Sequence, residues 1–287
     1  MHASEETYPA LSACKGQWFV VKMGGELAEN KQALADSLGM CLRHMLAAGI
    51  KVALVHGGGP QATALSKRLG LVTRQVAGQR VTDEATMEVM KMVLAGQVSS
   101  DVALAMRMAR VPALCLSGLS AGLVLAERLG GVSEAGGPTV DLGLVGQVRH
   151  VNTALLENLA ALGLVPVLSS LAEGTEGHPL NVNADSLAAH MAKSLRASHL
   201  FLVSNVPGVL EDMSNPHSRL PHLNAQEVAR LIESKKIYGG MLPKVEGALL
   251  AARESRTKVH LLGLEPPASL LEALERPGSV GTVFENS

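Results

Sequence analysis

Short apolar runs alternate along the chain with longer stretches whose apolar positions recur at helical spacing. Trp18-Phe19-Val20-Val21 is the first run, closed by Lys22 and by Gly24-Gly25. From Asn30 to Ala48, Leu34, Leu38, Cys41, Leu42 and Met45 fall on one helical face, which predicts a helix stopped by Gly49. Lys51 to Val55 reads as a second strand. Gly57-Gly58-Gly59 follows it, and Pro60 suits the first turn of a helix reaching Leu69. Helices are then predicted over Asp83–Gly96 and Val98–Ala109, and a strand over Ala113–Leu116. Residues 119–148 differ: Gly122, Gly130, Gly143 and Gly146 punctuate short β-like pieces, which read as hairpins and a surface flap. The alternation resumes with helix 152–162, strand 164–168, a Gly-containing loop, helix Ala184–Leu195 and strand 199–203. It ends with helices over 225–234 and from Met241, strand 257–262 and a β piece at Val280–Val283.

Strands that are apolar at consecutive positions, such as Leu164 to Leu168, have to be covered on both faces. The predicted fold class is therefore α/β, a three-layer αβα sandwich around a mainly parallel central sheet. The chain has 287 residues, which suits two lobes sharing one sheet. The expected division is an N-terminal extension (1–17), an N-terminal lobe (18–180) and a C-terminal lobe (181–287). Gly174 to Asn181 is the softest stretch at the junction. Lys+Arg total 25 against 26 Asp+Glu, so no basic excess favours nucleic acid. Aromatics make up only 2%, too few for a base-stacking platform. Cys14, Cys41 and Cys115 give neither a disulfide framework nor a zinc spacing, and Cys41 and Cys115 read as buried thiols. The N-terminus lacks the apolar core of a signal peptide, and no apolar run approaches the ~20 residues of a membrane span. The expectation is a cytoplasmic protein that engages neither nucleic acid nor membrane.

Ligands of open α/β sheets bind at the carboxyl ends of strands. There stand Lys22-Met23-Gly24-Gly25 and His56-Gly57-Gly58-Gly59-Pro60-Gln61. Consecutive glycines at a strand-to-helix turn serve either as a tight turn or as a backbone anion site. Neither G-x-x-x-x-G-K-[ST] nor G-x-G-x-x-G occurs. Lys244, after Gly239-Gly240-Met241-Leu242-Pro243, is alone an ordinary surface lysine; paired with Lys22 it can bracket a polyphosphate. Asn181-Val182-Asn183-Ala184-Asp185 opens a helix. It is either capping chemistry or, equally, a set of ligand contacts with Asp185 holding the lysines. Arg80 is either a surface charge or a carboxylate clamp. No metal-ligand spacing is present among the histidines.

Five segments occur in the order seen in acetylglutamate kinases of the amino acid kinase superfamily. They are Lys22–Gly25, His56–Gln61, Gly78-Gln79-Arg80-Val81-Thr82-Asp83, Asn181–Asp185 and Tyr238–Lys244. The resemblance runs from Trp18 to Phe284. It implies the amino acid kinase fold and transfer of the ATP γ-phosphoryl group, with Mg²⁺ held mainly through the phosphates, to the side-chain carboxylate of N-acetyl-L-glutamate. By resemblance Lys22, Lys244 and Asp185 are catalytic. Gly24, Gly25, Gly57, Gly58, Ser204, Asn205, Gly208, Gly240 and Met241 line the phosphoryl and nucleotide path. Gly58, Gly59, Arg80, Asn181 and Asn183 hold the acceptor. No protein-held metal is implied, and the short segment before Trp18 favours a homodimer without arginine feedback. The chain departs from the family pattern at Ser99-Ser100, at Leu119-Ser120-Ala121 (where an acid is usual) and at Gly263-Leu264-Glu265. These positions bear on acceptor and effector. The alternatives are a sister kinase for another acylated amino acid and a non-catalytic regulatory paralogue.

Overall fold

The computed structural model describes residues 8–285, apart from 77, 134–136, 213, 216, 238–240 and 255–256, with the backbone alone at 243 and 254. From the amino end, α1 (Pro9–Ala13) leads into β1 (Trp18–Met23). A 3₁₀ turn (Gly25–Glu29) leads into a rod made of α2 (Lys31–Leu34), a π-helical turn (Ala35–Gly39) and α3 (Met40–Ala47). β2 (Lys51–His56) and α4 (Gly59–Arg68) precede a short hairpin, β3 (Gln75–Val76) and β4 (Gln79–Arg80). α5 (Glu84–Met90), a π-helical stretch (Lys91–Val98) and α6 (Ser99–Met108) run without a break into the turn before β5 (Ala113–Ser117). Next come β6 (Val124–Arg128), β7 (Val145–Val151), α7 (Thr153–Ala161), β8 (Val165–Ser169), β9 (Leu171–Gly174), β10 (Pro179–Val182) and α8 (Ala184–Ser194). The chain ends with β11 (His199–Val203), β12 (His222–Leu223), α9 (Ala225–Glu233), α10 (Met241–Glu254), β13 (Lys258–Leu262), α11 (Ser269–Glu275) and β14 (Thr282–Phe284).

The central sheet has eight strands in the order β12-β14-β13-β11-β1-β2-β8-β5 and is parallel except at β13–β14. Alternate residues of one strand feed two cores. Phe19, Val21 and Met23 pack with Leu38, Leu94 and Phe201 on one face, and Val20 with Ala53, Leu187 and Val245 on the other. That double coverage explains the unbroken apolar runs in the sequence and gives the expected three layers. Strands β10, β7, β6 and β9 close a small separate barrel whose inward residues, among them Val124, Ala126 and Val148, join the second core.

Three local expectations are corrected. The Gly-containing loop after strand β8 is the antiparallel pair β9–β10, so the presumed soft junction, Gly174 to Asn181, lies inside the barrel. Asn181 accordingly sits on a strand, and Asn183 caps α8, in line with the expected helix start at Ala184. The helices expected on either side of Gln97 are one rod, because the π-helical stretch absorbs Gly96 without breaking it. The short helices α1 and α11 gave no periodic signal. The rod Glu84–Met108 is 25 residues long and apolar enough to cross a membrane, yet half of its apolar window is buried in the protein, as befits a core helix.

His199 and His260 stack beside Phe19 and Phe201 within the first core, with His199 Nδ1 and His260 Nε2 3.0 Å apart. Burial pushes His199 down to about 4 and His260 well below its ordinary 6.5, with the Lys258 charge adding to both. The unfolded chain therefore takes up protons that the folded chain refuses once the pH drops below 6.5. Stability should fall from about pH 6.5 to about pH 4, by on the order of 3 kcal/mol from His199. Thermal denaturation across that window, for the native chain and for His199→Gln, should show a steeper acid decline in the native chain. Equal declines would contradict this.

Candidate active site

Because β1, β2, β8 and β11 are parallel, their carboxyl ends lie along one edge of the sheet, and the residues following them meet there. Lys22 leaves β1 and pairs with Asp185 in the first turn of α8, Nζ to Oδ1 2.9 Å, with the side chains only 12% and 25% exposed. Asp185 is held at that spot because Asn183 Oδ1 accepts from the backbone N–H of Asp185 and Ser186 (2.9 and 3.0 Å). The oxygen of Asn183 is thus taken by capping, which leaves only its amide nitrogen for a ligand.

Lys244, in the first turn of α10, donates to Ser204 Oγ at the end of β11 (2.6 Å). Burial lowers the pKa of this ammonium, and the charge of Lys22 lowers it further, while Asp185 and Glu26 act in the opposite direction. The two lysines therefore share one electrostatic environment, although they lie in opposite halves of the sequence. Ser204 also donates to Asn205 Oδ1 (3.3 Å). Ser204, Asn205 and Glu26 line a cleft of about 530 Å³ together with Leu27, Asn30 and Leu264. A larger cavity, about 820 Å³, lies between α5 and the barrel rim, with Lys91, Glu127 and His178 in its wall, and neither cavity has Lys22 or Lys244 in its lining.

The glycine turns close the site from below. A Cβ on Gly25 would stand 2.6 Å from Gly58 Cα, and one on Gly58 would stand 2.7 Å from Leu94 Cδ2. The two turns can touch only as glycines, and the π-helical stretch packs directly beneath them. Gly57 approaches Ala184, next to Asp185. His56, fully buried, sits 2.9 Å from the Gly57 carbonyl through Nδ1 and 3.0 Å from Ser99 Oγ through Nε2, and burial keeps its pKa low. Gln61 Nε2 donates to the Gly25 carbonyl (2.9 Å).

Beside this group lies the second half of the candidate site. Arg80 is 8% exposed, with Nη2 donating to the Gly59 carbonyl (3.1 Å) and Thr63 Oγ1 (2.7 Å). Its Nη1 is buried with no partner among the described residues, and no carboxylate answers its charge there. A buried guanidinium with an idle N–H group suits an incoming anion. Asn181 reaches toward Arg80 by way of Thr82 Oγ1 (3.2 Å).

Most of the residues singled out in the sequence are thus drawn to one edge. Gly24 caps the 3₁₀ turn, and Met241 is the first residue of α10. Gly208, at φ +142°, instead lies against Thr282 and Arg219. Gly240 lies outside the described residues. Sequence reading missed Glu26 and Thr63 and assigned no role to Gln61 or Ser99, because Gln61, Thr63 and Ser99 act through partners distant in the chain. At Cys115 the thiol is half-buried, whereas Cys41 is buried as expected.

Comparison with known proteins identifies the family. The model of the amino acid kinase family matches residues 17–263. The chain belongs to that family. Among its relatives are proteins named acetylglutamate kinase. One, from Anaeromyxobacter dehalogenans (strain 2CP-C), is 44% identical over 268 residues, covering 93% of this chain and 98% of the relative. Another, from Sorangium cellulosum (strain So ce56), is 44% identical over 267 residues, covering 92% and 93%. Of solved structures, smu.665 from Streptococcus mutans UA159 superposes with a TM-score of 0.77 at 26% identity, covering 94% of this chain and 99% of that one.

Gly25→Ala should force the two glycine turns apart. The expected result is a loss of about 1–3 kcal/mol of stability by denaturant titration, with strongly reduced turnover. Native stability and activity in that variant would show that the close approach of Gly25 and Gly58 is dispensable.

Proposed function

We propose that this chain is an acetylglutamate kinase. It transfers the γ-phosphoryl group of ATP to the side-chain carboxylate of N-acetyl-L-glutamate, giving N-acetyl-L-glutamyl 5-phosphate and ADP, a step of arginine biosynthesis. What supports the reading is that Lys22, paired with Asp185, and Lys244, bonded to Ser204, act on each other electrostatically from opposite halves of the sequence. An acceptor carboxylate oxygen attacks the γ-phosphorus while the bond to the bridging β,γ-oxygen breaks and its electron pair leaves with ADP. The acceptor is already ionised, since a glutamate carboxyl titrates near pKa ~4.3, so no general base is required. What the protein supplies is positioning and charge neutralisation. Lys22 and Lys244 stabilise the negative charge on the travelling group, and Asp185 keeps the two like charges in place. Gly24, Gly25, Gly57 and Gly58 offer backbone N–H groups along the path.

In this reading Arg80, Gly59, Asn181 and Asn183 hold the acceptor in the 18–180 lobe and at its boundary. Ser204, Asn205, Gly208, Gly240 and Met241 belong to the nucleotide side in the 181–287 lobe. The residues present suit a polyphosphate: two cations and glycine turns at strand ends. Among the described residues no group of three or more His, Cys, Asp or Glu side chains stands ready to hold a metal ion. A Mg²⁺ ion travelling with the nucleotide would rest mainly on phosphate oxygens and would offset their charge. Met92, Leu104 and Met108 are exposed on the rod beside edge strand β5, where Leu114 is 36% exposed; this supports association with a second copy through that face. A cytoplasmic location accompanies the biosynthetic role.

The reading is tested by coupled ADP release with N-acetyl-L-glutamate, glutamate, N-acetyl-L-aspartate or no acceptor. Turnover with N-acetyl-L-glutamate is expected, and Lys22→Ala or Lys244→Ala should lower kcat by about 10² or more with little change in KM. Turnover only with another acceptor, or raised KM at unchanged kcat in the lysine variants, would contradict it.

A further inference from the structure

Thr82 lies where three segments of the chain meet, and it is fully buried. Its hydroxyl donates to the Arg80 carbonyl (2.8 Å) and accepts from Asn181 Nδ2 (3.2 Å). A hydroxyl has one proton, and a carbonyl oxygen can only accept. The Thr82 proton is therefore committed to Arg80, and toward Asn181 the oxygen can only accept. This fixes the Asn181 carboxamide: its nitrogen faces Thr82 and its oxygen faces away. The backbone repeats the connection. Thr82 N–H donates to the Leu142 carbonyl (2.9 Å), Leu144 N–H donates to the Thr82 carbonyl (2.7 Å), and Asn181 N–H donates to the Leu144 carbonyl (2.9 Å). Gly143, between them at φ +72°, has to be glycine, since a Cβ there would strike the Thr82 carbonyl. Arg80 in turn reaches α4 through Gly59 and Thr63.

We propose that Thr82 is a positioning residue that sets Arg80 and Asn181 in register with each other for acceptor binding. The inference rests on the acetylglutamate kinase reading. No hydrogen bond of Thr82 involves Lys22, Lys244 or Asp185, so loss of its hydroxyl should weaken acceptor binding and spare phosphoryl transfer. Thr82→Val keeps the shape and removes the hydroxyl. It leaves the Arg80 carbonyl unanswered and the Asn181 amide free to rotate. Thr82→Ser keeps the hydroxyl.

The test is steady-state kinetics of the full chain in these three forms, with the acceptor panel above and with thermal melting alongside. Thr82→Val should raise the acceptor KM about tenfold, with kcat and the KM for ATP within about twofold of native. Thr82→Ser should stay near native in all three. An unchanged acceptor KM in Thr82→Val, or an equal rise in both KM values, would overturn the inference. So would a raised acceptor KM in Thr82→Ser, which decides the matter even where Thr82→Val fails to fold. If the native chain turns over a different acceptor, the acceptor assignment fails alone and the same split is read on that acceptor. If it turns over none, the kinase reading fails and this inference with it.

Discussion

Lys22 and Lys244 repel one another in a partly buried setting, and the ion pair between Lys22 and Asp185 offsets that repulsion. In the proposed reading the carboxylate offsets part of that charge, and an anion arriving between the lysines completes the compensation. The surrounding structure supplies this pair at both ends. The end of a parallel strand buried at every position but Lys22 carries that lysine to the sheet edge. The capped first turn of α8 brings Asp185 to meet it. Lys244 joins from α10, held by Ser204 just past the end of the neighbouring strand β11. Pre-set charge of this kind is effective in phosphoryl transfer because it needs no rearrangement when the transition state forms.

A second constraint is steric. Gly25 and Gly58 are in contact, and Gly58 rests on Leu94 and Val98 of the π-helical stretch. The widened helix also places the Ser99 hydroxyl against both the Leu94 carbonyl (2.8 Å) and the buried His56 (3.0 Å). Ser99 is one of the positions at which the chain departs from its family's usual sequence. Its role here is legible: it partners the histidine whose other nitrogen faces the Gly57 carbonyl. The departure therefore touches the support of the glycine turn and leaves the lysine pair untouched.

Much of the fold was written in the chain because buried parallel strands have to be apolar at every position, so Trp18–Val21, Lys51–Val55 and 199–203 were found nearly to the residue. The barrel was not, since β9 and β10 are four residues each and end in or flank glycines that imitate a loop. The long rod was split in reading because Gly96 resembles a stop, while the π-helical accommodation depends on packing that no local pattern encodes. At the site, Lys22 and the glycines were visible as strand-end chemistry. Lys244 stood out from an ordinary surface lysine only when paired with Lys22, and its hydrogen-bond partner Ser204, 40 residues earlier, was not legible. Thr82 lay within a recognised segment, but its hydroxyl acquires meaning only beside Asn181, 99 residues on. Asn183 shows the converse: its capping was legible, and the cap leaves its oxygen unavailable to a ligand.

The most direct test of the proposed convergence of the two lysines is a crystal structure of the chain with ADP, Mg²⁺, N-acetyl-L-glutamate and aluminium fluoride, a mimic of the phosphoryl group in flight. Lys22 Nζ and Lys244 Nζ should both lie within about 3 Å of the fluoride ligands, with Asp185 still joined to Lys22. A planar fluoride group contacted by only one of the two lysines, or lodged elsewhere, would contradict the convergence on which the catalytic assignment stands.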